Sequence, residues 1–191
     1  MLLVRQVSSS VRHQNKEMET SLKKILKISK IKEQENWEYR AFLKGYDISC
    51  EELDSIVQEL FSTVCAEVDC TACGSCCKKV SPVLNENDIH KLSLNLGISA
   101  EQFQDQYLRK DEDEKYVLKK LPCPFLENNI CTQYEYRPTD CRSYPHLHKE
   151  DFVFRLFGVI ENYSICPIVF NVYELLKEKI RYETAHDYFD E

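Results

Sequence analysis

Glycine and proline are scarce in this sequence, with four Gly and six Pro among 191 residues. This scarcity excludes a collagen-like or low-complexity chain, and a hydrophobic content of 43% with 30% charged residues indicates a globular protein rather than a disordered one. Long apolar runs are also missing. The longest, residues 152–160, is interrupted by Arg155, whereas a helix that crosses a bilayer needs about 20 apolar residues. We therefore expect a folded chain without a membrane span.

Positively charged residues are fewer than negatively charged ones. The chain has 25 Lys and Arg and 32 Asp and Glu, which gives a net charge of −7. An acidic surface does not attract phosphate backbones, so nucleic acid is not an expected partner. The first residues contain only Leu2, Leu3 and Val4 before Arg5, an apolar run too short for a secretory signal. These absences predict a cytoplasmic protein.

Cysteine is the residue type in excess, with ten in the chain. A chain of 191 residues can build a core large enough to fold without disulfides. In a reducing compartment, clustered cysteines are more often metal ligands or redox catalysts than structural disulfides. Metal binding is therefore the leading hypothesis, and disulfide exchange and oxidised structural disulfides are its alternatives.

A helical N-terminal extension is predicted for residues 1–45. Residues 14–43 are rich in Lys and Glu, lack Gly, Pro and Cys, and carry apolar residues at helical spacing. Gly45 is a natural end for this helix. The extension is either an exposed helix or one that binds a protein partner, and residues 46–191 form the predicted cysteine-cluster metal-binding domain.

Most of the remaining predicted elements are helices. They share a capping residue or a proline at the start and apolar residues at helical spacing. The predicted helices cover about residues 50–65, 86–96, 100–109 and 167–182. Short strands are predicted at residues 116–118 and 152–160, with a turn at residues 127–129 between two extended pieces. The predicted fold class is α+β, a mainly helical small domain with irregular Cys-rich metal-binding loops and a few short strands.

The most specific motif is a series of cysteines separated by two residues, Cys70, Cys73 and Cys76, with Cys77 next to the last. This spacing lets sulfurs converge on one ion, and Gly74 tolerates a positive φ in the tight turn. C-x-x-C-x-x-C is also the spacing that holds iron–sulfur clusters, in which a remote Cys-Pro supplies the last ligand. The adjacent side chains of Cys76 and Cys77 are expected to diverge, so that one of them serves a second site.

Four more cysteines lie in loop-like, Pro-flanked segments and complete a set of eight. The candidate metal ligands are Cys70, Cys73, Cys76, Cys77, Cys123, Cys131, Cys141 and Cys166. Eight thiols suffice for two four-thiolate sites or for one cluster and one zinc site, whereas disulfide exchange needs only two thiols. Cys50 and Cys65 have no cysteine partner at ligand spacing, so we expect them only to pack.

Cationic residues surround Cys141 in the sequence. Arg137 and Arg142 flank it and can donate to thiolate sulfur, which offsets the charge of about −2 that four thiolates leave around Zn²⁺. His146 and His148 follow, and they are alternatives as ligands or proton shuttles where cysteine does not already suffice. The pattern assigns no catalytic residue.

Together these motifs resemble the YkgJ-type cysteine-cluster family, the C-x-x-C-x-x-C-C zinc- or iron-chelating proteins. The resemblance rests on residues 70–77, 123–126 and 131–134, on Arg-Pro-Thr-Asp-Cys-Arg-Ser-Tyr-Pro at 137–145 and on Cys-Pro at 166–167. It implies a cytoplasmic metal-binding domain. One branch of the family, the flagellin lysine N-methylases, couples a similar cluster to protein methylation and carries iron–sulfur, but its members are longer than this chain.

The sequence therefore predicts a cytoplasmic protein that chelates zinc or iron, including iron in an iron–sulfur cluster, through the eight clustered cysteines. The alternative is an iron–sulfur enzyme that acts in electron transfer or in protein modification such as lysine N-methylation. Metal ions are the expected partners in both cases. A third hypothesis is an adaptor that binds a protein through the N-terminal helix.

Overall fold

A computed structural model of the chain describes residues 17–71 and 73–181, and helices dominate this part. The α-helices are α1 Leu22–Ile31, α2 Glu33–Gly45, α3 Cys50–Glu67, α4 Ser75–Lys79, α5 Glu86–Leu96, α6 Ala100–Tyr107, α7 Thr139–Ser143, α8 Leu156–Tyr163 and α9 Pro167–Lys179. The strands are β1 Val83–Leu84, β2 Leu108–Lys110, β3 Tyr116–Leu118, β4 Leu126–Glu127 and β5 Ile130–Cys131, and 3₁₀ helices form at Tyr134–Tyr136 and Phe152–Arg155. This architecture confirms the predicted α+β, mainly helical fold class.

Local capping begins the central helices where the sequence predicts them. Asn85 and Asp88 exchange hydrogen bonds in a capping box at the start of α5. Ser99 and Gln102 form the same arrangement at the start of α6. Gly97, with φ of 68°, follows the end of α5, because glycine adopts this left-handed conformation without a steric penalty.

The N-terminal segment differs from the single helix predicted for residues 14–43. It forms two helices, because the backbone leaves helical geometry at Lys32. The first helix begins at Leu22 after the capping residue Ser21, and residues 1–16 lie outside the described residues. The boundary proposed at residue 45 stays a prediction.

The strand predicted at residues 152–160 is wrong, since this segment is a 3₁₀ helix followed by α8. The buried residues Leu156, Val159 and Tyr163 are spaced as on one helical face. Asp54 fixes the preceding turn, because its carboxylate accepts the N–H groups of residues 151 and 152 at 2.7 and 2.8 Å. A short apolar run does not distinguish a buried strand from a buried helix.

The strands form two small antiparallel sheets. One has the order β1-β3-β2, and its central strand confirms the prediction at residues 116–118. The other is the hairpin β4–β5, in which Leu126 lies opposite Cys131. Asn128 and Asn129 form its turn with φ values of 49° and 66°, as predicted for residues 127–129.

Buried apolar side chains form two separate clusters. The first cluster lies among α1, α2, α3, α8 and α9 and includes Ile25 and Tyr39 of the N-terminal segment. The second, smaller cluster joins α5, α6 and the sheet β1-β3-β2. Since the N-terminal helices bury part of their surface within this chain, a partner-binding role for them stays a prediction. Within the described residues, every helix is too short or too polar to cross a membrane.

Candidate metal centre

All eight predicted cysteines line one cavity of about 250 Å³. Its walls also include Val68 of the first cluster and Leu84 and Phe125 of the second, so the cavity lies at the boundary between the two clusters. Cys50 and Cys65 are not among the described lining residues. The structure thus brings together the predicted ligand candidates and leaves out the two cysteines expected only to pack.

The loop of residues 70–77 forms one wall through a tight turn. The N–H of Cys73 donates to the carbonyl of Cys70 at 3.3 Å, and Gly74, with φ of 59°, precedes α4. This positive φ confirms the role predicted for Gly74. A Cβ at this position would lie 3.2 Å from backbone atoms of Asn129, so glycine also allows the β4–β5 hairpin to approach the loop.

Main-chain contacts hold Cys77 beside the hairpin. The N–H of Cys123 donates to the carbonyl of Cys77 at 2.7 Å. The N–H of Leu126 then donates to the carbonyl of Cys123 at 3.1 Å, and strand pairing places Cys131 opposite Leu126. Backbone geometry therefore brings Cys77, Cys123 and Cys131 to the same wall of the cavity.

Two carboxylates position the short helix α7, which contains Cys141. Asp88 accepts hydrogen bonds from the N–H and the hydroxyl of Thr139, both at 3.0 Å. Asp140 accepts the N–H of Val83 at 3.1 Å. These bonds join α7 to α5 and β1, so the elements around the second cluster fix the position of Cys141.

Cys166 reaches the cavity from the start of α9, where Pro167 occupies the first turn as predicted. Burial raises the pKa of the Cys166 thiol to about 11, while hydrogen bonds from the N–H groups of Val169 and Ile168 lower it. A sulfur that accepts N–H groups at a helix N-terminus is well suited to bear negative charge as a thiolate ligand.

Burial raises the pKa of other thiols around the cavity as well. The pKa rises to about 11 at Cys123 and to about 12 at Cys141, and the charge of Cys77 contributes to both increases. Such thiols stay protonated at neutral pH until a bound cation displaces their protons.

The sulfurs of Cys76 and Cys77 lie 4.0 Å apart, closer than the divergence expected for adjacent side chains. The hydrogen bond between the two thiols raises the pKa of Cys76 and lowers that of Cys77. The charge of Arg137 lowers the pKa of Cys77 further. Cys77 is therefore the member of this pair that ionises first.

Arg137 provides a positive charge and an unsatisfied donor at the cavity. Its guanidinium lies 3.9 Å from the centre of the Tyr134 ring, and its buried Nε has no hydrogen-bond partner among the residues that the structure describes. A buried unpaired N–H is costly unless an acceptor lies close, and an anionic thiolate centre supplies one. Arg142 also lines the cavity, and its Nε donates to the carbonyl of Arg137 at 3.1 Å, which stabilises the loop.

His146 and His148 are not among the described cavity-lining residues. Nε2 of His146 lies 3.4 Å from the carboxylate of Asp140, and Nε2 of His148 lies 3.2 Å from the hydroxyl of Ser143. Both rings therefore contact the helix that contains Cys141, which favours a ligand set made of cysteine alone.

The cysteines surround the cavity without converging on a single point. Among residues 17–71 and 73–181, no three Cys, His, Asp or Glu side chains are arranged to hold a metal ion. The chemistry of the donor set nevertheless fits zinc or iron, because the cysteines are free thiols and thiolate is a preferred ligand of both zinc and iron–sulfur clusters. Metal binding therefore requires the sulfurs to move toward a common centre.

Residues 69–157 match the family model CxxCxxCC, described as "Putative zinc- or iron-chelating domain". This segment of the chain is similar to the CxxCxxCC family. This match confirms the resemblance based on the cysteine motifs, and the description of the family indicates zinc or iron chelation. The comparisons with curated proteins and with solved structures gave no match.

The matched segment includes every cavity-lining cysteine except Cys166, which lies beyond its end at residue 157. The sequence feature that predicted Cys166 as a ligand was Pro167, the residue that follows it. Sequence reasoning missed Asn129 and Asp88 as residues that position the cysteine segments. The sequence indicated only local roles for these two residues, a turn at Asn129 and a helix cap at Asp88.

Proposed function

We propose that this protein binds zinc or iron through the cysteines that line the cavity. These ligands are Cys70, Cys73, Cys76, Cys77, Cys123, Cys131, Cys141 and Cys166. The observation that supports the proposal best is selective clustering: cysteines from distant segments line one cavity, whereas Cys50 and Cys65 do not. The zinc- or iron-chelating description of the CxxCxxCC family supports the same function.

Thiol chemistry favours metal binding over disulfide exchange. The cysteines are free thiols, and disulfide exchange needs only a pair of them. Arg137, whose Nε has no hydrogen-bond partner within residues 17–71 and 73–181, suits an anionic thiolate centre better than a neutral disulfide. Free thiols also persist in a reducing compartment, which supports a cytoplasmic location.

An iron–sulfur protein is the second candidate, and the surroundings of Cys166 favour it. Cys70, Cys73 and Cys76 have the C-x-x-C-x-x-C spacing of cluster ligands, and Cys166-Pro167 is the remote Cys-Pro. Hydrogen bonds from N–H groups to the Cys166 sulfur are of the kind that tunes cluster potentials. Such a centre would serve electron transfer or, by family resemblance, protein modification such as lysine N-methylation.

Anaerobic purification followed by elemental analysis, thiol titration and absorption spectroscopy tests the proposal. We expect at least one zinc or iron per chain, with the cavity thiols protected from titration. A colourless protein that contains zinc supports a metal-binding protein without catalytic activity. A brown protein that contains iron supports the iron–sulfur candidate. Less than one metal per chain, with all thiols titratable, would refute both.

Two pairs of variants test the choice of ligands. Cys73→Ser and Cys141→Ser should lower the metal content and the thermal midpoint, because each loses a thiolate ligand. Cys50→Ser and Cys65→Ser are the matched controls and should keep the metal content of the wild type. Metal loss in either control would mean that the cavity does not define the ligand set.

A further inference from the structure

A second cavity, of about 300 Å³, forms a groove on the first cluster and shares no described lining residue with the cysteine cavity. The end of α2 and the start of α3 form one side of this groove, and the 3₁₀ helix Phe152–Arg155 forms the other. Its apolar walls are Leu43, Tyr46, Ile48, Val153 and Phe154. The exposed fraction is 44% for Tyr46 and 73% for Phe154. Exposed aromatic side chains beside an apolar groove are typical of a surface that binds another segment.

The electrostatics of the groove favour an anionic occupant. Lys44 is the only Lys, Arg, Asp or Glu among its described lining residues. Ser49 and Cys50 line it at the start of α3, which is the positive end of the helix dipole. One turn before Lys44, the buried Nε of Arg40 has no hydrogen-bond partner in the described part of the chain. A carboxylate in the groove would therefore meet a positive potential, whereas a lysine or arginine would be repelled.

A row of aromatic side chains on α2 joins the groove to the end of α9. The hydroxyl of Tyr39 donates to the carbonyl of Leu176 at 3.0 Å and lies 3.5 Å from the carbonyl of Ile180. The Tyr39 ring lies 5.7 Å from the Phe42 ring, which in turn lies 5.0 Å from the ring of Tyr46 at the groove. Tyr39 and Tyr46 are seven residues apart, or about 10 Å along the helix axis. The end of α9 is therefore about two turns of α2 away from the groove.

The residues that follow the described part of the chain have the composition that the groove favours. Residues 182–191 contain four Asp or Glu, three aromatic residues and no Lys or Arg. A segment of this length spans at most about 33–36 Å, which exceeds the distance along α2. Residues 1–16 have the opposite charge, with three Lys or Arg and no Asp or Glu. Charge therefore favours the C-terminal segment over the N-terminal one as the occupant.

We propose that residues 182–191 of this chain bind in the groove. Tyr188 and Phe189 pack against its apolar walls, and the neighbouring carboxylates face Lys44 and the start of α3. Burial of the aromatic side chains supplies most of the binding free energy, because exposed ion pairs contribute at most about 1 kcal/mol each. The contact joins the C-terminal segment to the N-terminal helices and does not depend on bound metal.

Photo-cross-linking of the full chain tests this contact. The photoreactive residue p-benzoylphenylalanine replaces Phe189, the protein is irradiated, and the cross-linked peptides are identified by mass spectrometry. Unlabelled and ¹⁵N-labelled chains are mixed in equal amounts before irradiation, so that contacts within one chain are distinguished from contacts between two chains. We expect cross-links within one chain, from residue 189 to residues 43–53 or 153–154.

Charge reversal tests the electrostatic part of the proposal. Lys44→Glu should lower the yield of the groove cross-link about fivefold, because it replaces an attraction with a repulsion. Lys91→Glu is the matched control, since Lys91 is an exposed lysine on α5, which packs in the second cluster. This variant should keep the yield of the wild type. Equal yields in the two variants would overturn the proposed pairing with Lys44.

Amide hydrogen exchange gives an independent measurement without a photoreactive residue. Tyr188→Ala combined with Phe189→Ala removes the aromatic side chains that pack in the groove. Exchange of the amides of residues 46–49 should then accelerate about tenfold, because the groove loses its cover. The metal content should stay that of the wild type. Unchanged exchange at residues 46–49 would overturn the proposal.

Other occupants of the groove would give different cross-links. Cross-links between differently labelled chains would assign the groove to a second copy, and cross-links from the groove to another protein would assign it to a partner. Cross-links from residue 189 to other parts of its own chain would place the segment elsewhere. Each of these results would overturn the proposal, and none of them would affect metal binding by the cysteines.

Discussion

Replacement of Gly74 by alanine tests how the cysteine loop is formed. A non-glycine residue in the left-handed region, where Gly74 has φ of 59°, costs about 1–2 kcal/mol. The new Cβ would also lie 3.2 Å from the Cα and carbonyl oxygen of Asn129. These are backbone atoms of the hairpin turn, so they cannot rotate away, and we expect Gly74→Ala to lower the free energy of unfolding by about 2 kcal/mol.

Two other glycines of the chain separate these two effects. Gly97 has φ of 68°, but nothing lies within 4 Å of the position that a Cβ would occupy there, so Gly97→Ala should cost only the backbone strain, about 1 kcal/mol. Gly158 lies in α8 with the same free space and without positive φ. Gly158→Ala should therefore stabilise the protein by about 0.5–1 kcal/mol, since alanine is the better helix former.

Urea unfolding of the three variants and the wild type, with metal and with chelator, measures these differences. In Gly74→Ala the zinc affinity, measured by competition with a chelator, should also fall about tenfold, because the substitution displaces the turn between Cys73 and Cys76. Equal losses of stability in Gly74→Ala and Gly97→Ala would refute the close approach to Asn129. A stabilised Gly74→Ala would refute the strained turn itself.

Two further predictions concern pH and metal removal. Burial of Glu174 opposes its ionisation, but Lys177 at 3.0 Å and Lys32 at 2.5 Å lower its pKa below 4.5. Glu174→Gln should therefore lose about 2 kcal/mol of stability near neutral pH. This deficit should disappear as the pH falls below 4.5 through the lowered pKa, and a deficit independent of pH in urea unfolding would contradict the ion pairs. Chelation of the metal should accelerate amide hydrogen exchange in α5, α6 and the sheet β1-β3-β2 more than in α3 and α9. Equal acceleration in all of these elements would contradict two separate clusters.

The sequence predicted those features that depend on a few neighbouring residues. The caps at Asn85 and Ser99 and the positive φ of Gly74 are local, and each is confirmed. The strand predicted at residues 152–160 is wrong because a short apolar run fits a buried strand and a buried helix equally, and the hydrogen bonds that fix the preceding turn come from Asp54, which is distant in sequence. Local spacing could not provide that information.

The arrangement of the eight cysteines around one cavity was beyond sequence reasoning for the same physical reason. Spacing identified the candidates, but it did not predict that the sulfurs of the adjacent Cys76 and Cys77 lie 4.0 Å apart. The shared cavity forms because Cys166 packs in one cluster and Cys123 packs against the other. Such tertiary packing leaves no pattern in the spacing of the cysteines.

The position of the cavity predicts a structural role for a bound metal in addition to any chemical one. The first cluster contains long helices and most of the buried apolar residues, whereas the second depends on short strands and two helices. A segment of fewer than about 70 residues with a small core gains little net stability from burial alone and commonly needs a metal or disulfides. Cysteines from both walls line the cavity between the clusters. Thiolate–metal bonds there would stabilise the weaker cluster and fasten it to the stronger one, because free energy of metal binding becomes free energy of folding wherever the ligands converge only in the folded chain.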